Sequence, residues 1–352
     1  MSAGSCRRIC SLIIRGLRAL PVVIVSAIIV FSYYVYCFQT VIALTHSWLL
    51  RGALYLVFHI LLVMFLASYF ACIFTNIPRI PDRYFLPEEV MLDVVNEKTE
   101  RARNAILYRY VSQNELAITN ISNTDGPRFC VQCRCIKPDR SHHCSIRYDH
   151  HCPWIANCVH LTNYKAFILF LFYGFVLCLF ALASSLPSFI IFWEGRPLSQ
   201  EIVQSFGLVF LPFLAFLFGI SIACLFFYHV YLVLKNRTTI EQWSPPHFEN
   251  GPDPNAYNVG AFRNFKQIFG ESKLYWLFPV STGLSDGLKY PLHAQATVET
   301  ALNQASTTNN GVDINGLTYP IRQKRMENLR LLDENDSDEE DEVAYDHRSL
   351  AV

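Results

Sequence analysis

Four stretches of this chain carry no charged side chain, and each is long enough to cross a lipid bilayer as a helix. Asp, Glu, Lys and Arg are absent between Arg18 and Arg51 and again between Arg51 and Arg79. Two further uncharged runs cover residues 167–193 and 206–234. A helix rising about 1.5 Å per residue needs about 20 apolar residues to span the hydrocarbon core. Helices buried in a large soluble protein rarely stay uncharged for so long. A chain that is 52% hydrophobic and only 16% charged is also too apolar for an ordinary soluble enzyme. The expected fold is a polytopic α-helical membrane protein with four transmembrane helices.

Charge sets the orientation, because cytosolic loops are enriched in Lys and Arg. Arg7, Arg8, Arg15 and Arg18 precede the first helix with no acid among them. The loop between helices two and three, about residues 76–165, holds twelve Lys or Arg. The loop after the first helix offers only His46, and the third has Arg196 against Glu194 and Glu201. Both termini and the central loop are therefore placed in the cytosol, with Golgi, plasma membrane and endosome all open as the organelle. The apolar run after Arg18 is longer than a signal-peptide core and shows no clear small-residue cleavage site, so the first helix is expected to be retained.

The chain divides accordingly into an N-terminus (1–18), helices one and two (19–75), a linker (76–126), a cysteine-rich segment (127–166), helices three and four (167–234), a C-terminal region (235–290) and a tail (291–352). Glu88 and Glu89 after Pro87 suit a helix start, and residues 88–116 read as a charged, solvated or membrane-surface helix. Phe262, Phe265, Ile268 and Phe269 recur at helical spacing, with Tyr275, Trp276 and Phe278 able to anchor at the headgroups. The tail is rich in Gln, Asn, Ser and Thr and then acidic over residues 333–342, a composition that cannot offset its ordering entropy and is expected to be disordered. Glu327 with Leu331 and Leu332 in that tail resembles an acidic dileucine sorting signal. Asn120 and Asn236 stand in glycosylation acceptor patterns but face the cytosol on this topology and should be unmodified.

Twelve cysteines are present. Cys37, Cys72, Cys178 and Cys224 lie in apolar runs and read as small hydrophobes, while Cys6 and Cys10 beside arginines before the first helix suit S-palmitoylation. The remaining six fall between Cys130 and Cys158, in a reducing compartment where metal binding or catalysis is favoured over disulfides. Cys130-x2-Cys133, His143-Cys144, His151 and Cys158 offer Cys and His ligands at zinc-like spacing, and such zinc sites want four ligands in a tetrahedron. Asp149-His150-His151-Cys152 offers a different chemistry. A cysteine must be a thiolate to attack a thioester, an adjacent imidazole can take its proton, and a carboxylate can orient that imidazole. Asp149, His150 and Cys152 supply acid, base and nucleophile within four residues, and beside a bilayer they point to lipid thioesters.

Taken together, Cys130-x2-Cys133, Lys137-Pro138-Asp139-Arg140, His142-His143-Cys144, Asp149–Trp154, Asn157-Cys158 and Asn163-Tyr164-Lys165 resemble the DHHC family of protein S-acyltransferases. Thr238-Thr239-Ile240-Glu241 is similar to that family's Thr-Thr-x-Glu motif, and Asn264 to its C-terminal asparagine. The resemblance extends to about residue 290. It implies a small zinc-binding cytosolic domain between helices two and three, with structural Zn²⁺ and a long-chain acyl-CoA such as palmitoyl-CoA as donor. Cys152 would be acylated with His150 as base and Asp149 orienting it. The acyl group would then pass, in a ping-pong cycle, to a cysteine of a membrane-associated protein substrate. The acyl chain would lie in a cavity among the four helices. His151 would ligate zinc, and Lys137 and Arg140 are candidates for contacts to CoA phosphates.

One segment departs from the family pattern. Family members read His-Cys-x2-Cys-x2-Cys-x4-Asp-His-His-Cys, whereas only Ser145, Ile146, Arg147 and Tyr148 separate Cys144 from Asp149 here. Six residues and two zinc-binding cysteines are missing. On the family pattern one zinc keeps Cys130, Cys133 and His143, and the other keeps Cys144, His151 and Cys158. Cys135 is an extra thiol able to complete one site, water or a merged single site are alternatives, and His160 is a further conceivable ligand. The in-frame loss beside an intact nucleophile motif points first to a shortened or mis-assembled form of a longer active chain. An active enzyme with rearranged zinc binding and a catalytically inactive membrane scaffold stand against it. A RING-like ligase would need eight ligands at cross-brace spacing. A metal transporter would need ionisable residues within its spanning helices, where only isolated histidines such as His59 and His229 occur. No nucleic-acid partner is expected.

Overall fold

The computed structural model describes residues 3–44, 47–142, 146–194 and 202–293. The acidic dileucine and the rest of the tail from 294 onward, together with His143 and Cys144, lie outside the described residues. In chain order the named elements are α1 (Ala3–Tyr34), α2 (Trp48–Phe74), α3 (Glu88–Asn96), α4 (Glu100–Gln113), β1 (Phe129–Cys130), β2 (Cys135–Ile136), β3 (His150–Cys152) and β4 (Asn157–Val159). They continue as α5 (Tyr164–Trp193), α6 (Ile202–Lys235), α7 (Thr239–Trp243), β5 (His247–Phe248), β6 (Gly251–Pro252) and α8 (Ala261–Phe269). Among the described residues four segments are long and apolar enough to cross a membrane: Ala19–Thr40, Trp48–Phe74, Tyr164–Pro187 and Phe206–Lys235.

The helices pack by stripes of side chains. On α2, Phe58, Leu62, Phe65, Tyr69 and Cys72 are buried, spaced three and four residues apart so that they share one face. Leu56, Ile60, Val63, Phe70 and Phe74 on the remaining surface are exposed, which costs nothing where the surroundings are lipid. The buried stripe meets α5, whose other side packs on α6. Gly174 brings the two backbones together, since a Cβ there would stand 3.1 Å from the Phe65 ring. The first span ends in π-helical turns over Val35–Thr40.

A second core lies outside the helical bundle, where Tyr84, Met91, Leu107, Val111 and Ile136 cluster. This differs from the expected solvated helix over 88–116. The chain breaks at Thr99, whose hydroxyl accepts the Ala102 amide and caps α4, and the two short helices each bury one side. The third span also begins earlier than its uncharged run, at Tyr164, so Lys165 sits in its first turn. Lys165 is accommodated because its ammonium donates to the Tyr275 carbonyl at 2.7 Å and to Thr282 Oγ1 at 2.8 Å. Asn120 and Asn236 are both buried, which independently removes them from glycosylation.

Candidate active site

Successive side chains of a β-strand point to opposite faces, so β3 separates the two chemistries of the Asp-His-His-Cys run. His150 and Cys152 share one side and His151 takes the other. The antiparallel partner β4 sets Val159 opposite His150, Cys158 opposite His151 and Asn157 opposite Cys152. The connection turns at Pro153–Ile155 and Ala156, which takes left-handed backbone angles (φ 48°). Cys152 is buried in the same cluster as Tyr69, Cys72 and Phe167, which places its thiol against the ends of α2 and α5.

The hairpin is pinned to α2 through that helix's last carbonyls, which have no partner within the helix. The Asn157 amide donates to the Cys72 and Thr75 carbonyls at 3.0 Å, and Tyr69 donates its hydroxyl to the Trp154 carbonyl at 2.8 Å. Asn163 adds a bond to the Cys158 carbonyl at 2.9 Å. The Asn157-Cys158 and Asn163-Tyr164-Lys165 motifs thus fix the hairpin that carries Cys152 to the end of α2.

His150 Nδ1 bonds Asp149 Oδ2 at 2.7 Å. Burial opposes a charged imidazole, but the Asp149 bond and the contact with Cys152 outweigh it and raise the His150 pKa to about 9. Burial likewise opposes the Asp149 carboxylate, yet His150, His229 and the Thr239 amide hold it below the ordinary carboxylate range. Thr239 donates its amide to Asp149 Oδ1 at 3.0 Å, and its hydroxyl lies 2.7 Å from the Asp149 carbonyl and 3.0 Å from Oδ2. Thr238 caps α7 in a reciprocal box with Glu241, so the Thr-Thr-x-Glu motif builds a short helix whose start grips the Asp149 carboxylate.

Glu241 is held in turn by Arg140, and here the structure corrects an expectation. The Arg140 guanidinium bonds both Glu241 oxygens (2.8 and 2.7 Å) and the Asn236 side chain and carbonyl (both 2.9 Å). The Tyr257 and Tyr290 rings lie 4.4 and 4.9 Å from it. Its side chain is 0% exposed, so it is not available to a CoA phosphate. Arg140 instead ties the cysteine-rich segment to the end of α6 and to α7. Lys137 is half-buried.

On the opposite side of the hairpin, His151 Nδ1 and Cys158 Sγ face each other at 3.5 Å. Two ligands about 2.0–2.1 and 2.3 Å from a shared tetrahedral zinc stand about 3.6 Å apart, so this pair fits half of a zinc centre. In the β1–β2 hairpin Cys130 lies opposite Cys135, and Cys133 is half-buried in the intervening turn. Among the described residues these cysteines and His151 do not close into a group of three converging ligands. The group that does converge is Asp149, His150 and His229, whose ligand atoms lie within 4.8 Å of one another.

His229 was read from the sequence only as an isolated membrane histidine, although an ionisable residue inside a spanning helix marks a functional site by default. It is 2% exposed, its ring lies 5.7 Å from that of His150 and 5.0 Å from Phe167, and its Nδ1 is 3.2 Å from the Tyr164 hydroxyl. The role of Thr239 was equally missed, because no spacing rule links it to a carboxylate ninety residues away.

A thiol, an imidazole and a carboxylate in series at the ends of four membrane helices define a membrane-embedded thiol enzyme. Residues 123–246 match the family model of the DHHC palmitoyltransferase. The chain is 38% identical over 284 residues to palmitoyltransferase ZDHHC2 of Danio rerio, covering 79% of this chain and 77% of the relative. It is 35% identical over 343 residues to palmitoyltransferase ZDHHC2 of Homo sapiens (95% and 91% covered). It is 40% identical over 285 residues to palmitoyltransferase ZDHHC20-B of Danio rerio (79% and 84% covered). The chain belongs to the DHHC palmitoyltransferase family and is an integral-membrane protein S-acyltransferase.

Proposed function

We propose that Cys152 is the acyl-accepting nucleophile of a two-step transfer from a long-chain acyl-CoA, palmitoyl-CoA above all, to cysteines of membrane-associated proteins. The observation that carries this assignment is the series Asp149–His150–Cys152, with the Asp149–His150 bond at 2.7 Å and the thiol in contact with the same imidazole. His150 takes the thiol proton, and the Cys152 thiolate attacks the thioester carbonyl of acyl-CoA. The carbon–sulfur bond to CoA breaks, and the proton on His150 passes to the departing sulfur. In the second step a substrate thiol gives its proton to His150 and attacks the Cys152 thioester, and Cys152 leaves as thiolate. Asp149 keeps the imidazole oriented and stabilises it when charged. Thr239 and His229 hold Asp149. We place this chemistry, both termini and the central loop on the cytosolic side, and assign Lys137 to the CoA phosphates.

His151 and Cys158, with Cys130, Cys133, His143 and Cys144, are the residues that would hold zinc. When bound there, zinc supplies a structural tie of the kind that stabilises small domains by about 10–16 kcal/mol of apparent binding energy. A second reading, a shortened or inactive form that scaffolds substrates, is favoured by the four-residue Cys144–Asp149 connection. Against it, the described part of that connection is packed into the fold. Ile146 and Arg147 are buried, and the Arg147 guanidinium lies 3.3 Å from Asn236 Oδ1.

Autoacylation of the purified full chain with a clickable palmitoyl-CoA, beside Cys152→Ser, separates the readings. Hydroxylamine-labile label that falls by roughly 10⁴-fold or more in the variant supports the transferase assignment. No label on a folded, membrane-inserted protein supports the scaffold. Elemental analysis of the same sample gives the zinc content, which is expected to be at least one ion per chain.

A further inference from the structure

A cavity of about 420 Å³ lies where α5 and α6 meet α8, and Cys152 is not among the residues that line it. The acyl chain on Cys152 is expected among all four spanning helices, whereas this cavity takes no residue from α1 or α2. Its walls come from the first turns of α5 (Phe172), the last turns of α6 (Val230, Leu234), from α8 (Phe269) and from the following segment (Lys273, Trp276). The volume falls in the range of sites for small organic ligands. Every lining side chain is apolar or aromatic except Lys273. A space with such walls at the ends of membrane helices has lipid chains as its immediate surroundings.

The site is built rather than incidental. Trp276 Nε1 donates to the Gly270 carbonyl at 3.0 Å, and Lys165 holds the Tyr275 carbonyl at 2.7 Å, so the segment that carries Lys273 has a defined course. Leu274, Leu277 and Phe278 beside it are exposed apolar groups, suited to lie among lipids. The local charge is positive. Lys273 is exposed, Lys235 follows the lining residue Leu234 and is exposed too, and the nearby Glu271 is engaged by Lys266.

We propose that this cavity holds one acyl chain of an anionic phospholipid from the leaflet that faces the central loop, with Lys273 against the headgroup. A basic residue at an anionic membrane surface gives a preference of about fivefold. The lipid fills the gap between α8 and the α5–α6 pair and fastens the C-terminal region to the bundle.

The test uses the full chain in phosphatidylcholine nanodiscs carrying a trace of diazirine-bearing phosphatidylserine or of phosphatidylcholine with the same reactive chain, with labelled peptides mapped by mass spectrometry. The phosphatidylserine probe is expected to label the α6 and α8 peptides about fivefold more than the phosphatidylcholine probe. Lys273→Gln should equalise the two, and Val230→Trp should fill the space and remove both labels while autoacylation persists. Lys273 is exposed, so its variant keeps the test open if Val230→Trp fails to fold. Four outcomes overturn the proposal. The two probes label equally in the unaltered chain; the preference survives Lys273→Gln; palmitoyl-CoA competes the label away, which assigns the space to the acyl donor; or label is seen only after residues beyond 293 are removed, which assigns it to the chain's own tail.

Discussion

The two faces of the β3–β4 hairpin differ in how completely they are held. On one face Asp149, His150 and Cys152 meet groups from α2, α5, α6 and α7, and Asp149 alone has the Thr239 amide, the His150 ring and His229 about its carboxylate. On the other face His151 and Cys158 stand 3.5 Å apart, and the family pattern's two further cysteines are missing from the sequence. Both faces sit on the same few residues of backbone, so the contrast teaches where each chemistry gets its rigidity. The face proposed to be catalytic takes its order from membrane helices and the Thr-Thr-x-Glu arm. Under the proposed zinc assignment, the other face would take its order from ligands that include those beside the shortened segment.

That division is open to attack, beginning with the catalytic face. Asp149→Asn should lower the autoacylation rate by roughly 10³–10⁴-fold while leaving the zinc content unchanged. Loss of zinc in that variant would show that the two faces are not separable. Arg140→Met should cost about 3–5 kcal/mol, because it leaves the Glu241 carboxylate buried without its partner. A thermal melt of the detergent-solubilised chain reads this out, and an unchanged melt would mean that Arg140 does not join the domain to α6.

Thr239→Val removes one hydrogen bond to Asp149 and one hydroxyl contact, so about 1–2 kcal/mol of positioning is lost. Acyl-enzyme formation should slow by roughly 5–30-fold, with palmitoyl-CoA binding little altered. A defect confined to CoA affinity would instead place the motif at the donor site. The smallest effect concerns pH. His150 is raised from 6.5 to about 9, so its protonated form contributes stability that is full below about 6.5 and is lost as pH rises through about 9. Melting temperature should fall more steeply across that window in the unaltered chain than in Asp149→Asn, and equal slopes would break the assignment of the shift to Asp149.

Much of this was legible beforehand, for different reasons in different places. The spanning helices announce themselves because a bilayer penalises charge everywhere along about 20 residues. Absence of charge is a local property that needs no partner. The grouping of Asp149, His150 and Cys152 was legible because they lie within four residues, where strand alternation alone decides which of them share a face. Arg140 was misread for the opposite reason. A basic residue in a cysteine-rich loop looks like a phosphate contact until Glu241, a hundred residues onward, is seen to occupy it. His229 and Tyr164 escaped because their partnership joins two helices, and no periodicity along either one encodes that meeting.

What the sequence determined by itself is therefore local and compositional. It set the four spans, the chemical identities at residues 149–152 and the apolar face of α8, since each follows from neighbours within a turn or two. What only the tertiary structure decided is every assignment that needs two distant segments in contact. That includes the grip of Thr239 on Asp149, the enclosure of Arg140, the fastening of the hairpin to the last carbonyls of α2, and the cavity between α5, α6 and α8. The physical reason is that burial and hydrogen-bond saturation are properties of a packed neighbourhood. A side chain's charge and reach are written in its own residue, but the partner that satisfies it is chosen by the fold.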